Sequence, residues 1–101
     1  MRIAIVDDIE TERALLKMRL ERQLSLYGVE TEILEFDSSE SFLAAEKERH
    51  FTVAFLDIYM EGLSGMEAAK ELRKTDADCL LVFTTTSTDH ALEGFQVRAL
   101  H

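Results

Sequence analysis

Three aspartates stand directly after two short apolar runs of this sequence. Asp7 and Asp8 follow the run Ile3–Val6, and Asp57 follows Val53–Leu56. Continuous apolar runs of this length, bounded by polar residues, are typical of strands buried on both faces of a parallel sheet. Ligands of such sheets bind just outside the carboxyl ends of the strands, where these acids fall. Because clustered carboxylates repel one another, we expect the trio to be hydrated, protonated or neutralised by a cation.

The cation that suits such a trio is Mg²⁺, which takes one or two carboxylates and keeps several waters or a phosphate oxygen. In a flavodoxin-like strand order the first and third strands are neighbours, so Asp7, Asp8 and Asp57 would converge on one crevice. Mg²⁺ there could place a phosphoryl group beside Asp57, whose carboxylate would attack it. A later apolar run ends in the hydroxyl residues Thr84–Ser87, which could bond a phosphoryl oxygen at the same edge of the sheet.

Strand-like and helix-like segments alternate along the chain and must position these residues. Leu16, Leu20 and Leu24 lie one turn apart and predict a first helix, with Asp8 as its N-cap and Gly28 after its end. The alternation predicts an α/β fold, a flavodoxin-like doubly wound parallel sheet of strand order 2-1-3-4(-5). The predicted strands are Ile3–Val6, Thr31–Phe36, Phe51–Ile58 and Cys79–Thr84, and the predicted helices are Ile9–Leu26, Ser39–Arg49, Met66–Lys74 and His90–Val97.

Several local signals refine these elements. Asp37 and Glu40 have the spacing of a capping box ahead of the second helix. Ala69 and Leu72 are expected to face inward from the third helix. Cys79 is the only cysteine and has acidic neighbours, so we expect a small buried hydrophobe rather than a reactive thiol.

Length and charge narrow the classes of function. A chain of 101 residues is expected to form one domain, and a formal net charge of −9 argues against direct binding of nucleic acid by this segment. The charge fits a protein that meets a cation or the basic face of a partner. Neither a signal peptide nor a membrane-spanning run is evident in the sequence, so we expect a cytoplasmic protein without a membrane partner.

Three motifs together resemble the receiver domain of two-component response regulators. They are Ile5-Val6-Asp7-Asp8, then Leu56-Asp57-Ile58-Tyr59-Met60 followed by Gly65, and Phe83-Thr84-Thr85. The resemblance covers essentially the whole chain and implies a receiver domain over residues 1–101. It also implies a sensor histidine kinase as partner. The roles it implies are phospho-acceptor for Asp57, switch hydroxyl for Thr85, and Mg²⁺ ligands for Asp7, Asp8, Asp57 and the backbone carbonyl of Tyr59.

The chain differs from this family in three places. Glu61 stands where proline is usual, and Thr86 stands where a smaller residue is usual. The family's lysine on the fifth strand would lie beyond residue 101. Because the spacing of the strands places the fifth strand at about that residue, we expect the chain to be a piece of a longer one that lacks the fifth strand and helix.

Residues 83–95 are similar to receivers that precede LytTR-type DNA-binding domains. This narrower resemblance implies a C-terminal DNA-binding output domain in the full-length chain, and so an output in transcription. We expect a signalling domain rather than an enzyme, with at most self-catalysed phosphotransfer and autodephosphorylation.

Two other functions stay open at this point. A receiver-like interaction module that is never phosphorylated would keep the same fold. A Mg²⁺-dependent phosphohydrolase could use Asp57 as nucleophile. Enzymes of the haloacid-dehalogenase type, however, have a second acid two residues after the nucleophile, and Tyr59 holds that position here. His50, His90 and His101 do not have metal-ligand spacing, so surface or packing roles are expected for them.

A chain that lacks the fifth strand would leave the fourth strand as an apolar edge, Leu80–Phe83, which can pair with another chain. We therefore predict self-association, by pairing of this edge or by exchange of an element, with a homodimer through this strand as the simplest product. Light scattering at rising protein concentration should show an increase in mass, and a monomeric mass at high concentration would contradict the prediction.

Overall fold

The computed structural model describes residues 1–84, and seven elements alternate along them. Each lies within two residues of its predicted bounds, and the fourth predicted helix, His90–Val97, lies outside the described residues. The elements are β1 (Arg2–Val6), α1 (Glu10–Leu26), β2 (Glu32–Phe36), α2 (Ser39–Glu48), β3 (Val53–Asp57), α3 (Gly65–Arg73) and β4 (Leu80–Thr84).

The four strands form one parallel sheet in the order β2-β1-β3-β4, which confirms the predicted α/β architecture and the flavodoxin-like order 2-1-3-4. The central strands β1 and β3 are the most buried, and the edge strand β2 is only half-buried. This order places the carboxyl ends of β1 and β3 side by side.

One face of the sheet carries α2 and α3, which contact each other. Ala4 and Val6 of β1 belong to the apolar core on this face. The rings of Phe36, Phe42 and Phe51 pack there with centroids 5.7–5.8 Å apart, two of the three pairs edge to face. Such ring pairs are stabilising beyond the area that they bury, so this trio fixes α2 against the sheet.

The buried positions of α3 and of the segment before β4 agree with the sequence. Ala69 and Leu72 are buried, as predicted. Cys79 is buried too, and its Sγ lies 3.6 Å from the carbonyl oxygen of Leu80. Burial raises the pKa of the Cys79 thiol to about 12, and nearby carboxylates add to the shift. The thiol is therefore protonated and shielded at neutral pH, which confirms its prediction as a packed hydrophobe.

Two of the predicted helix caps are wrong by one residue. The cap position of α1 is Ile9, whose amide donates to Asp7 Oδ1 at 2.9 Å, and Asp8 is exposed in the turn before it. The Asp7 carboxylate makes an Asx turn that delays the helix by one residue. At α2 the cap is Ser38 rather than Asp37, because the Ser38 hydroxyl accepts from the Ser41 amide at 3.2 Å.

Other terminal signals hold. Gly28 follows α1 with a φ of +69°, the left-handed conformation expected of a glycine after a helix. A capping box that the sequence analysis did not single out starts α3, where Ser64 and Glu67 bond each other's backbone amides. Among the helices of residues 1–84, none combines the length and apolar character that a bilayer crossing demands.

Gly65 brings the start of α3 against the end of β3. A Cβ atom on Gly65 would lie 2.2 Å from the carbonyl oxygen of Asp57 and 2.9 Å from its carbonyl carbon. The Gly65 amide donates to the carbonyl of Ile58 at 3.4 Å. Only a residue without a side chain allows this approach, so Gly65 fixes the backbone that carries Asp57.

We predict that Gly65→Ala costs about 3 kcal/mol or more of unfolding free energy, because the added methyl group overlaps backbone that cannot rotate away. Urea unfolding measures the loss. Gly28→Ala is the matched control: its Cβ would meet nothing within 4 Å, so only the left-handed backbone costs, at about 1 kcal/mol. An equal loss in the two variants would contradict the steric argument.

Candidate functional site

The strand ends bring Asp7, Asp8 and Asp57 together. Asp7 directly follows β1, Asp57 ends β3, and these strands are hydrogen-bonded neighbours. One carboxylate oxygen from each of the three residues lies within 4.8 Å of the other two. The structure therefore places all three predicted carboxylates in one cluster, at the sheet edge where ligands of parallel sheets bind.

Two of these carboxylates are buried side by side and the third is open to solvent. Asp57 is 2% exposed and Asp7 is 6% exposed, whereas Asp8 is exposed. Burial, followed by the negative charge of Asp7, raises the pKa of Asp57 to about 7. Burial likewise raises the pKa of Asp7. Part of Asp57 is therefore protonated at neutral pH when no cation offsets its neighbours.

Backbone amides orient both buried carboxylates. Asp7 Oδ1 accepts from Ile9 N at 2.9 Å, and Asp57 Oδ1 accepts from Tyr59 N at 3.3 Å. Each hydrogen bond favours the ionised carboxylate and opposes the effect of burial. The Tyr59 amide also shows that the backbone of this residue turns toward the cluster, while its side chain is exposed.

Thr84 marks the third strand end at the cluster. It pairs with Asp57 in the β3–β4 register, and its carbonyl accepts from Ile58 N at 3.0 Å. Thr85, the predicted switch hydroxyl, is the next residue and lies outside the described residues. Its role and the role of the Tyr59 carbonyl stay predictions.

Arg13 is a residue of the site that the sequence analysis did not single out. Its Nη1 donates to the backbone carbonyl of Asp7 at 2.7 Å, and its Nε lies 3.5 Å from Glu35 Oε1. This guanidinium holds the end of β1 and brings one positive charge to the cluster. The sequence did contain a signal for this role. A positive charge near the start of a helix is disfavoured by the helix dipole, so an arginine there indicates a contact elsewhere.

The donor set of the cluster fits a hard divalent cation. Asp7, Asp8 and Asp57 offer only carboxylate oxygens, which are the ligands that Mg²⁺ prefers over softer ones. The exposed position of Asp8 leaves one side open for waters, several of which Mg²⁺ keeps. The three carboxylates carry up to three negative charges when ionised. Arg13 is the positive charge described beside them, and it bonds a backbone carbonyl rather than a carboxylate.

The family of the chain follows from comparison with known proteins. A family model described as the response regulator receiver domain matches residues 3–101, and the chain belongs to this family. Sensory transduction protein LytT of Bacillus subtilis (strain 168) is 33% identical over 100 residues, which cover 99% of this chain and 40% of that protein. The chain spans less than half the length of the curated relatives it matches.

Solved structures agree with this assignment. The response regulator protein TrrA from Thermotoga maritima, in complex with Mg²⁺-BeF, is similar with a TM-score of 0.75 and 30% identity over 91% of this chain and 75% of that chain. TrrA in complex with the histidine kinase ThkA gives a TM-score of 0.68 and 34% identity over 84% of this chain and 68% of that chain. The resemblance to receiver domains is thus confirmed, and a receiver domain is a signalling domain.

The raised pKa of Asp57 predicts how stability depends on pH. Between the ordinary value of 3.8 and about 7, the native state holds more protons at this carboxyl than the unfolded state does, so this group's contribution to stability is lost as pH rises through that window. We expect Asp57→Asn to abolish the loss and to be more stable than the wild type above about pH 7, by an amount on the order of a few kcal/mol without divalent cations.

Urea unfolding of both proteins at about pH 5 and about pH 8 measures the difference. Asp37→Asn is the control, because Asp37 is an exposed acid that follows β2 at the same edge of the sheet. Because this variant keeps Asp57, we expect its difference in stability from the wild type to change much less between the two pH values. A stability difference between Asp57→Asn and wild type that is the same at both pH values would contradict the prediction.

Proposed function

We propose that the chain takes a phosphoryl group from a sensor histidine kinase onto Asp57 in a Mg²⁺-dependent reaction. The observation that carries the proposal is the buried Asp57 carboxylate beside Asp7, with Asp8 open to solvent at the same strand ends. Membership of the receiver family supports it. The complex of TrrA with the kinase ThkA supports a histidine kinase as partner.

Asp7, Asp8, Asp57 and the backbone carbonyl of Tyr59 are the residues that would hold Mg²⁺. When bound, the ion would neutralise charge on the phosphoryl oxygens. The chain itself supplies the nucleophile and its orientation: the Tyr59 amide fixes one oxygen of Asp57, and Gly65 fixes the backbone behind it. A carboxylate oxygen of Asp57 bonds to phosphorus as the phosphorus–nitrogen bond of the phosphohistidine breaks, which leaves an acyl phosphate.

Protonation of Asp57 competes with this reaction, because only the ionised carboxylate is a nucleophile. Burial is the first cause of its pKa of about 7, and the charges of Asp7 and Asp8 hold back ionisation further. A divalent cation on Asp7 and Asp8 would cancel that effect and favour the reactive form. The same carboxylates thus serve the reaction only when they are loaded with metal.

Thr85 is the residue that we propose to read the phosphoryl group through its hydroxyl. The register of Thr84 against Asp57 supports this, because the next residue follows the strand end beside the acceptor. A phosphoryl group adds nearly two negative charges and several strong acceptor oxygens, enough to bias a bistable segment.

The output of the full-length protein is also part of the proposal. The likeness to LytT supports a C-terminal DNA-binding output domain of the LytTR type, and hence control of transcription. The net charge of −9 favours a receiver that does not contact nucleic acid itself. The cytoplasmic location and the extent of the domain over residues 1–101 are also parts of this proposal.

Phosphorylation can be tested directly. The protein is incubated with Mg²⁺ and acetyl phosphate, and its intact mass is measured. We expect the mass of one phosphoryl group to be added, because the buried carboxylate is the nucleophile. Asp57→Asn should lose the adduct, Asp8→Asn should need more Mg²⁺ for the same yield, and Asp37→Asn should behave as wild type.

Two outcomes would contradict the proposal. No adduct at saturating Mg²⁺ would favour the interaction module that is never phosphorylated. Release of many phosphates per protein would favour the phosphohydrolase, for which Asp57 would still be the nucleophile.

A further inference from the structure

A second cluster of potential ligands lies at the opposite edge of the sheet, where β3 and β4 begin. Glu46 comes from the last turn of α2, His50 follows the end of that helix, and Asp76 lies in the loop between α3 and β4. One ligand atom from each residue lies within 4.8 Å of the other two. His50 lacks ligand spacing to the other histidines, but the fold brings it two carboxylates.

Backbone amides hold both carboxylates in place. Glu46 Oε2 accepts from Phe51 N at 2.9 Å, and Asp76 Oδ1 accepts from the amides of Asp78 and Cys79 at 3.0 and 3.1 Å. The second oxygen of each carboxylate, Glu46 Oε1 and Asp76 Oδ2, is left to face His50. Supporting bonds of this kind orient the ligands of metal sites.

One of these oxygens, Asp76 Oδ2, accepts no hydrogen bond and has only an ion pair with His50. Asp76 is 8% exposed, and its Oδ2 is buried without a hydrogen bond to any described residue. His50 Nδ1 lies 3.2 Å from it, but Nδ1 has a single hydrogen or lone pair and bonds Glu46 Oε1. A buried carboxylate oxygen that is left unpaired is costly. Asp76 Oδ2 therefore depends on the nearby charge of His50 to offset its burial.

We propose that Glu46, His50 and Asp76 bind a divalent cation of the Zn²⁺ class. Glu46 raises the pKa of His50, so a cation would displace a proton from the cluster. It would then meet a neutral imidazole and two carboxylates, whose two negative charges it cancels. Donor atoms around tetrahedral Zn²⁺ lie about 3.4 Å apart, close to the 3.2 Å between His50 Nδ1 and Asp76 Oδ2. His50 is 63% exposed, so its ring is free to turn from Glu46 toward a shared ion and leaves room for water as the fourth ligand.

This site differs in chemistry from the cluster around Asp57. An imidazole ligand suits Zn²⁺, whereas Mg²⁺ prefers oxygen ligands alone. We therefore expect the cluster with His50 to favour Zn²⁺ over Mg²⁺. An ion bound here would tie the end of α2 to the loop before β4, and it would stabilise the native state because the unfolded chain lacks the site.

The test is titration of the metal-free protein with Zn²⁺ against a chromophoric chelator, together with its melting temperature. With excess Mg²⁺ present to occupy the cluster around Asp57, we expect one Zn²⁺ to bind and the melting temperature to rise. His50→Gln and Asp76→Asn should weaken Zn²⁺ binding by at least about tenfold. Asp76→Asn keeps an oxygen that can accept from the amides of Asp78 and Cys79.

Two variants serve as matched controls. His90→Gln removes a histidine elsewhere in the chain, and Asp57→Asn weakens the other carboxylate cluster; both should bind Zn²⁺ as the wild type does. Should Asp76→Asn fail to fold, His50→Gln and the shift of the His50 ring nitrogens in NMR spectra on Zn²⁺ addition decide the question. No Zn²⁺ binding, unchanged affinity in His50→Gln, or loss of binding in Asp57→Asn would each overturn the proposal.

Discussion

Mutual repulsion between Asp7 and Asp57 is the constraint on which the candidate site depends. Two unit charges within 4.8 Å of each other repel by about 3 kcal/mol at an effective dielectric constant of about 20. A hydrogen bond to a charged group stabilises the folded protein by about 1.5–3 kcal/mol. Each of the two carboxylates accepts one such bond from a backbone amide. These bonds offset the repulsion in part, and the pKa of Asp57 stays raised, by burial first and by the charge of Asp7 second.

The rest of the fold serves to hold that unfavourable pair in place. The strand order makes β1 and β3 neighbours, Arg13 bonds the backbone at the end of β1, and Gly65 allows α3 to lie against the end of β3. The rings of Phe36, Phe42 and Phe51 fix α2 against the sheet that carries the charged strand ends. Carboxylates whose pKa is raised by burial and by a neighbouring charge are characteristic of functional sites.

Much of this arrangement could be predicted from the sequence, for physical reasons. Buried parallel strands read as continuous apolar runs, so their ends and the acids after them were visible. The caps were harder, because Asp37 and Ser38 can both cap a helix and the choice shifts its start by only one residue. The cluster of Glu46, His50 and Asp76 could not be foreseen, since Asp76 reaches it only through the packing of α3 and β4 on the sheet.

The shielded thiol beside this second cluster can report local opening of the structure. Because Cys79 is the only cysteine and is both buried and protonated, a thiol reagent reacts only in the moments when the start of β4 separates from its surroundings. The labelling rate then reports how often that opening occurs, with one label per molecule. Local breathing at this edge of the sheet becomes a quantity that can be followed in time.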